Sequence, residues 1–520
     1  MYDQAERNDF ISGLEASTPQ VLVRRLINDL ETPVSAYLKV AHGSPYASLL
    51  ESVEGGAVNG RYSIVTLSPD TVWRCRDGQA SIARGGDIAT HTFTAEPLPA
   101  LESLRALMAD SRFDLPEDLP PMAAGLFGVF GYDMVRLLEP LGEANPDPLN
   151  LPDAVLARPS LVAIFDSVKH EIILIAAAYP DTAKDADLAY RSAIARLDEF
   201  EDRLRSPAPI QRDPEYIPAP EFKSPVDGEG FAQMVAKAKD YIAAGDIFQV
   251  VLAHRFSAPW SQDPFAFYRA LRRGNPSPYL FYLDYADFQL AGSSPEILVR
   301  LKDGRVTIRP LAGTRPRGET PEQDKALEAE LLADPKELAE HLMLLDLGRN
   351  DVGRVSAPGT VEVTESFVVE RYSQVMHIVS NVNGKADPKL DAVDTLLAAL
   401  PAGTLSGAPK VRAMEIIDEL ETEKRGVGYG GGVGYISASG QADISIVLRT
   451  AMFTDNRIFV QAGAGVVADS DPAAEYAETL AKARAPMKAA EEAWRFNAIT
   501  HAQPLTTSAK GSAASGDVAA

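Results

Sequence analysis

Residues 442–479 read ADISIVLRTAMFTDNRIFVQAGAGVVADSDPAAEYAET: β-forming runs on either side of Asp455-Asn456, then Asp471-Pro472 opening a helix. A turn this short holds consecutive strands antiparallel. Ile444, Ile446 and Leu448 alternate with other positions, which predicts a strand with one apolar face and Arg449 on the opposite one. The small residues Ala462–Gly465 predict a tight turn whose backbone amides can approach a carboxylate. Gly463, Gly465 and Ala468 also fit a Gly-x-Gly-x-x-Ala spacing. Val466 and Val467 are strand formers, however, and no helix can begin before about Pro472, so a dinucleotide-binding turn is excluded. Runs such as FYLDYADFQLAGS repeat the pattern elsewhere. The fold class expected is α+β, with large antiparallel sheets flanked by helices.

The 520 residues exceed one ordinary core. Residues 1–205 read as an N-terminal accessory region with strand-like runs (VSAYLKV, RYSIVTL, LVAIFDS, EIILIAA) and helical patterns near 99–110 and 184–204. Residues 206–225 read as a linker, since 206–222 hold five prolines that deny regular backbone pairing. Residues 226–497 form the main region, and the Ala-, Ser- and Thr-rich 498–520 reads as a disordered tail. The net charge of −23 offers no basic stripe for nucleic acid. An anionic metabolite stays compatible, because local Arg, Lys and a divalent cation outweigh a diffuse field. The lone Cys75 excludes an intrachain disulfide framework and reads as a strand residue. IILIAAA is strand-sized rather than membrane-spanning, and MYDQAERNDF lacks a signal-peptide core, so the expected location is the cytoplasm.

Acidic helices carry the chemistry. In DPKELAEHLMLLDL, Asp334 caps a helix, Pro335 takes its first position and Glu337 completes a capping-box layout, with Glu340 one turn further on the same face. In DPAAEYAETLAKARA, Glu475, Glu478 and Lys482 share one face. Either helix is readable as a solvated surface with a Glu478–Lys482 pair; together they offer oxygen ligands to magnesium. GTLSGAPKVRAMEII exposes free amides before a helix near Pro409 but lacks the Gly-Lys-Ser/Thr of a triphosphate loop. GVGYGGGVGY (426–435) suggests bulges or backbone pressed against a ligand. His377 is either a satisfied core imidazole or a proton carrier.

The strings FQVVLAHRF, NPSPYLFY, AGSSPEIL, RPLAGTRPRG, ELAEHLMLLDLGRND, GTLSGAPKVRAMEII, GYGGGVGY, IVLRTA and QAGAGVVADSDPAAEYAET together resemble the chorismate-utilising enzymes, closest to the anthranilate-forming members. The resemblance implies a core of large stacked antiparallel sheets and an Mg²⁺ held by Glu340, Glu475 and Glu478. It implies that Arg449, Tyr429, Gly463, Ala464, Gly465 and Lys482 hold the carboxylates of chorismate, with Gly313, Thr314 and Thr404 lining the pocket. Ammonia would add at C2 with loss of the C4 hydroxyl, and pyruvate would then leave, the opening step of tryptophan biosynthesis. Glu337 is expected to donate the proton to the hydroxyl and His377 to take the C2 proton. Relatives that add water carry a lysine where this chain has Gln249, and aminodeoxychorismate-forming relatives carry a lysine where this chain has Ala312; both activities are disfavoured. Glu51, Ser52, Asn275, Pro278, Tyr279 and Leu280 are expected to form a tryptophan feedback pocket. No glutaminase nucleophile is visible, so ammonia is expected from a separate glutamine amidotransferase subunit in a hetero-oligomer. The rival from another class, a catalytically silent tryptophan-sensing subunit, would lack the acid, base or metal positions, and none is missing.

Overall fold

In a computed structural model of the chain, residues 4–54, 58–85, 88, 92–209, 214–372 and 375–497 are described; the expected tail, 498–520, lies outside them. The predicted hairpin joins strands Thr450–Thr454 and Arg457–Val466, paired Thr454 to Arg457. Asp455 and Asn456 both take left-handed φ (49° and 56°), which matches the twist of the flanking strands.

Every strand pairing among the described residues is antiparallel. The long strands Tyr62–Arg76 and Ala154–Asp166 pair along most of their length and feed two arms. One arm runs through Ser48–Glu51, Tyr279–Asp284, Gln289–Ser294 and the hairpin to Gln249–Pro259. The other runs through Gly125–Phe130, Gly432–Ser437, Ala442–Ile446, Ile297–Lys302 and Arg305–Ile308 to Val375–Lys385. Val129, Val155, Phe281, Leu290, Val433 and Met452, drawn from both arms, pack into one buried cluster. Burial of such side chains is worth roughly 1.5–3 kcal/mol each and holds the arms face to face. Residues 1–205 and 226–497 thus share one hydrogen-bonded sheet, through Leu50 against Phe281 and Val129 against Val433.

Helices cover the outer faces. Pro264–Gly274 and Pro472–Glu492 pack on the first arm through Phe267 and Ala483, and Pro335–Gly353 and Ala392–Ala399 on the second through Leu345 and Leu396.

The structure corrects several local readings. VSAYLKV is a helix, Pro33–Val40: Thr32 and Ser35 form a capping box and Pro33 occupies the first turn, signals that outweigh the β-branched valines. Ala462–Gly465 is strand, not turn, with Gly463 opposite Ala253 and Gly465 opposite Val251. Its glycines answer close approach: a Cβ on Gly463 would lie 2.7 Å from the Leu252 carbonyl oxygen and 2.8 Å from the Tyr429 hydroxyl. Arg449 is not in a strand. It sits in the break between Ala442–Ile446 and Thr450–Thr454 with φ 48°, uncommon for a residue with a Cβ. In GVGYGGGVGY the backbone presses on neighbouring strands, since a Cβ on Gly434 would lie 2.1 Å from the Asp443 carbonyl oxygen.

Candidate active site

The break at Arg449 aims a largely buried guanidinium that makes no hydrogen bond or ion pair to any described residue. Burial holds its pKa below the ordinary value, with Glu296 and Tyr372 opposing. A cation kept from water without a counter-charge is costly unless an anion arrives. Beside it, Lys482 donates to the Gly463 carbonyl (3.0 Å) and pairs with Glu478 (2.8 Å). Tyr429 is buried with its hydroxyl against Gly463. Gln249 is 2% exposed, with its Nε2 over Gly465 and its Oε1 unpartnered. Arg449, Lys482, Tyr429, Gln249 and Gly463–Gly465 are therefore brought together.

Glu296 was not among the expected residues. It follows strand Gln289–Ser294, is 7% exposed, and accepts from Thr404 Oγ1 at 3.1 Å. Burial pushes its carboxyl up to about 8, against the opposing pull of Thr404, Lys482 and Arg449. At neutral pH this is a buried carboxylic acid. The signal lay in AGSSPEIL, where one glutamate interrupts small and apolar residues, an uncommon place for an unpaired charge.

His377 lies on strand Val375–Lys385, 4% exposed. Its Nδ1 is 3.1 Å from the Gly313 carbonyl oxygen and 3.0 Å from Thr314 Oγ1. A carbonyl only accepts, so Nδ1 carries the hydrogen and Nε2 keeps its lone pair. Burial, then Arg449, lowers the imidazole to about 4. The ring is neutral at pH 7 and free to take a proton at Nε2. Tyr372 packs edge-on against it at 5.6 Å.

Glu337 and Glu340 project from helix Pro335–Gly353, which Asp334 caps as expected. The other half of the expected capping box is absent: the Glu337 side chain accepts from Arg315 at 3.1 Å. Its Oε2 would lie 3.2 Å from a Cβ on Gly313, beside the bulged strand Leu311–Pro316 that anchors His377. Glu340 has a raised pKa through burial, then Glu337 and Glu478; Glu475 is raised through burial and Glu478 and lowered by Ser470. The acids of both helices therefore feel one another. Among the described residues, no three His, Cys, Asp or Glu side chains converge tightly enough to hold an ion. Glu340 and Glu475, each made less stable as a carboxylate by Glu478, and Glu478, tied by a half-exposed lysine, are oxygen donors of the type a hard divalent cation takes.

A cavity of about 740 Å³ is lined by Glu51, Ser52, Pro278, Tyr279 and Leu280 at one side and reaches Glu296 and Tyr372 at the other. Leu280 stands opposite Glu51 in the strand register. Glu51 is saturated by Tyr268 and by Arg272, whose Nε is at 2.7 Å. Asn275 does not line the cavity; it donates to Ser293 Oγ at 3.1 Å. Cys75 is a buried strand residue with its thiol pushed up to about 12 by burial. Among the described residues no helix is long and apolar enough to cross a membrane.

Residues 61–488 match the model of a family described as chorismate binding enzyme. The chain is 55% identical over 489 residues to anthranilate synthase component 1 of Cereibacter sphaeroides, covering 94% of this chain and 97% of that protein. It is 49% identical to the protein of the same description from Pseudomonas aeruginosa, covering 89% and 93%. The crystal structure of anthranilate synthase component I from Streptococcus pneumoniae superposes with TM-score 0.74 at 39% identity, over 89% of this chain and 99% of that one. The menaquinone-specific isochorismate synthase of Escherichia coli shares the fold (TM-score 0.68, 20% identity, 93% and 100% coverage).

Proposed function

Because this chain belongs to the chorismate binding enzyme family, we propose that it aminates chorismate with ammonia to give anthranilate, pyruvate and water. The observation that carries this reading is the unpaired Arg449 guanidinium grouped with a buried Glu296 held by Thr404 and a buried His377 whose Nδ1 hydrogen is spent on the Gly313 carbonyl, the set an anionic substrate losing a hydroxyl and a ring proton requires. Arg449 and Lys482 bind the substrate carboxylates and Gly463–Gly465 allow them to come close. Ammonia attacks C2, and Glu296 gives its proton to the C4 hydroxyl, which leaves as water. His377 Nε2 then removes the C2 hydrogen; that electron pair forms the aromatic ring and expels the enolpyruvyl group as pyruvate. Glu337 lies close to Gly313, but Arg315 already holds it, so the donor role falls to Glu296. Glu340, Glu475 and Glu478 would hold Mg²⁺, which anchors and polarises the substrate when bound.

The cavity at Glu51, Ser52, Pro278, Tyr279 and Leu280 is proposed as the tryptophan pocket, with Asn275 supporting it from behind through Ser293. The relatives' designation as component 1 supports a second component supplying ammonia from glutamine. The test is incubation of the purified chain with chorismate, ammonium and Mg²⁺: equal amounts of pyruvate and a fluorescent aromatic amine support the reading, and pyruvate without amine, or no turnover, refutes it.

A further inference from the structure

Arg425 lies outside the substrate pocket yet spends its donors on the elements that build it. It is 3% exposed and its partner Glu421 is 6% exposed. Its Nε donates to Glu421 (2.9 Å), one terminal nitrogen to the Leu405 carbonyl (2.6 Å), and the other to the Val251 carbonyl (2.8 Å). Glu421 in turn accepts from the Ala253 amide at 2.8 Å. The guanidinium also lies 4.7 Å from the Tyr132 ring and 5.4 Å from the Tyr429 ring.

These contacts reach separate parts of the site. Leu405 follows Thr404 in a three-residue 3₁₀ turn, too short to satisfy its own carbonyls. Val251 lies two residues beyond Gln249, in the strand paired with Gly463–Gly465. Tyr429 presents its hydroxyl to Gly463. Desolvating a charged pair costs several kcal/mol, and a well-packed apolar pair often serves stability as well. What an apolar pair lacks is a planar fork that sets the distances among these carbonyls and the ring.

We propose that Arg425, held by Glu421, is a positioning residue for the amination site: it fixes the Gly403–Leu405 turn, the start of strand Gln249–Pro259 and the Tyr429 ring in one arrangement, and thereby sets the Thr404–Glu296 hydrogen bond. The inference rests on the functional reading above. The charged and titratable groups facing Glu296 are Lys482 from helix Pro472–Glu492, Arg449 from the inter-strand break and Tyr372. With those unchanged, losing Thr404 removes a donor to the carboxylate, and the Glu296 titration moves to higher pH.

The test uses the full chain with Glu421→Leu and Arg425→Met together, which removes the fork without stranding a charge, and Arg425→Lys as a second variant that keeps one charge and loses the fork. Turnover of chorismate with ammonium and the Glu296 carboxyl titration, read by infrared difference against Glu296→Gln, are measured on both. The expected result is a melting temperature close to that of the unsubstituted chain, kcat lower by roughly 10²-fold, and an upward-shifted Glu296 midpoint. Values of kcat and midpoint equal to those of the unsubstituted chain overturn the inference. Failure of both variants to fold also overturns it, by making the pair a prop rather than a positioning device. Absence of turnover in the unsubstituted chain would refute the functional reading instead, and leaves the titration to judge Arg425.

Discussion

Two arginines, one fully and one partly withdrawn from water, show how structure and function divide this molecule. Arg158, fully buried between the long N-terminal strands, is saturated: Asp70 at 2.8 Å, Asp181 at 2.8 Å, Thr71 at 3.0 Å and Ser111 at 3.2 Å, with the Tyr179 ring 4.0 Å from its carbon. Arg449, in the second half of the chain, has no such shell. The ionisable groups acting on it are Tyr372 and Glu296, the latter an acid whose carboxyl burial pushes up to about 8. One arginine completes the fold; the other waits for an anion from outside.

Substitution separates them. Arg158→Met strands Asp70 and Asp181 and is expected to cost roughly 3–5 kcal/mol in denaturant unfolding; a loss below about 1 kcal/mol would remove the contrast. Glu296→Gln keeps the shape and the Thr404 contact but holds no transferable proton. It is expected to lower kcat by about 10²–10⁴-fold without lowering the melting temperature, and pyruvate release checks the rate. Arg449→Met is expected to weaken chorismate binding by roughly 10- to 100-fold, read as KM, while leaving stability equal or higher because a buried unpaired charge is gone. Destabilisation there would mean that Arg449 is structural after all.

The smallest effect concerns acid stability. His254, His341 and His377 are each lowered by burial to about 4 from an ordinary value of 6.5. Between those values the unfolded chain binds more protons than the folded one, so stability rises with pH across roughly 4 to 6.5. Melting temperature against pH should show that slope. The slope should flatten in part when His254, bonded to Ser224 and Thr479, is replaced by Gln.

Much of this was legible in the sequence. Period-two runs and the Asp455-Asn456 turn carry the antiparallel class because hairpin geometry is local. Asp334-Pro335 and Asp471-Pro472 open helices as read, since capping is decided within one turn. VSAYLKV failed because capping overrode strand propensity. The glycines of 462–465 misled because close packing against a strand and a turn both demand small residues. Glu296 escaped notice for another reason: a protonated carboxyl is made by burial beneath Thr404, which lies 108 positions away in the chain. Periodicity carries no trace of such a contact.

The chemistry turns on a carboxylic acid at Glu296 beside an unpaired guanidinium, and infrared difference spectroscopy of the unsubstituted chain against Glu296→Gln reads that acid without turnover. A protonated-carboxyl band is expected at neutral pH, titrating away with a midpoint of about 8. A carboxylate band at pH 7, persisting down to ordinary glutamate values, would contradict it.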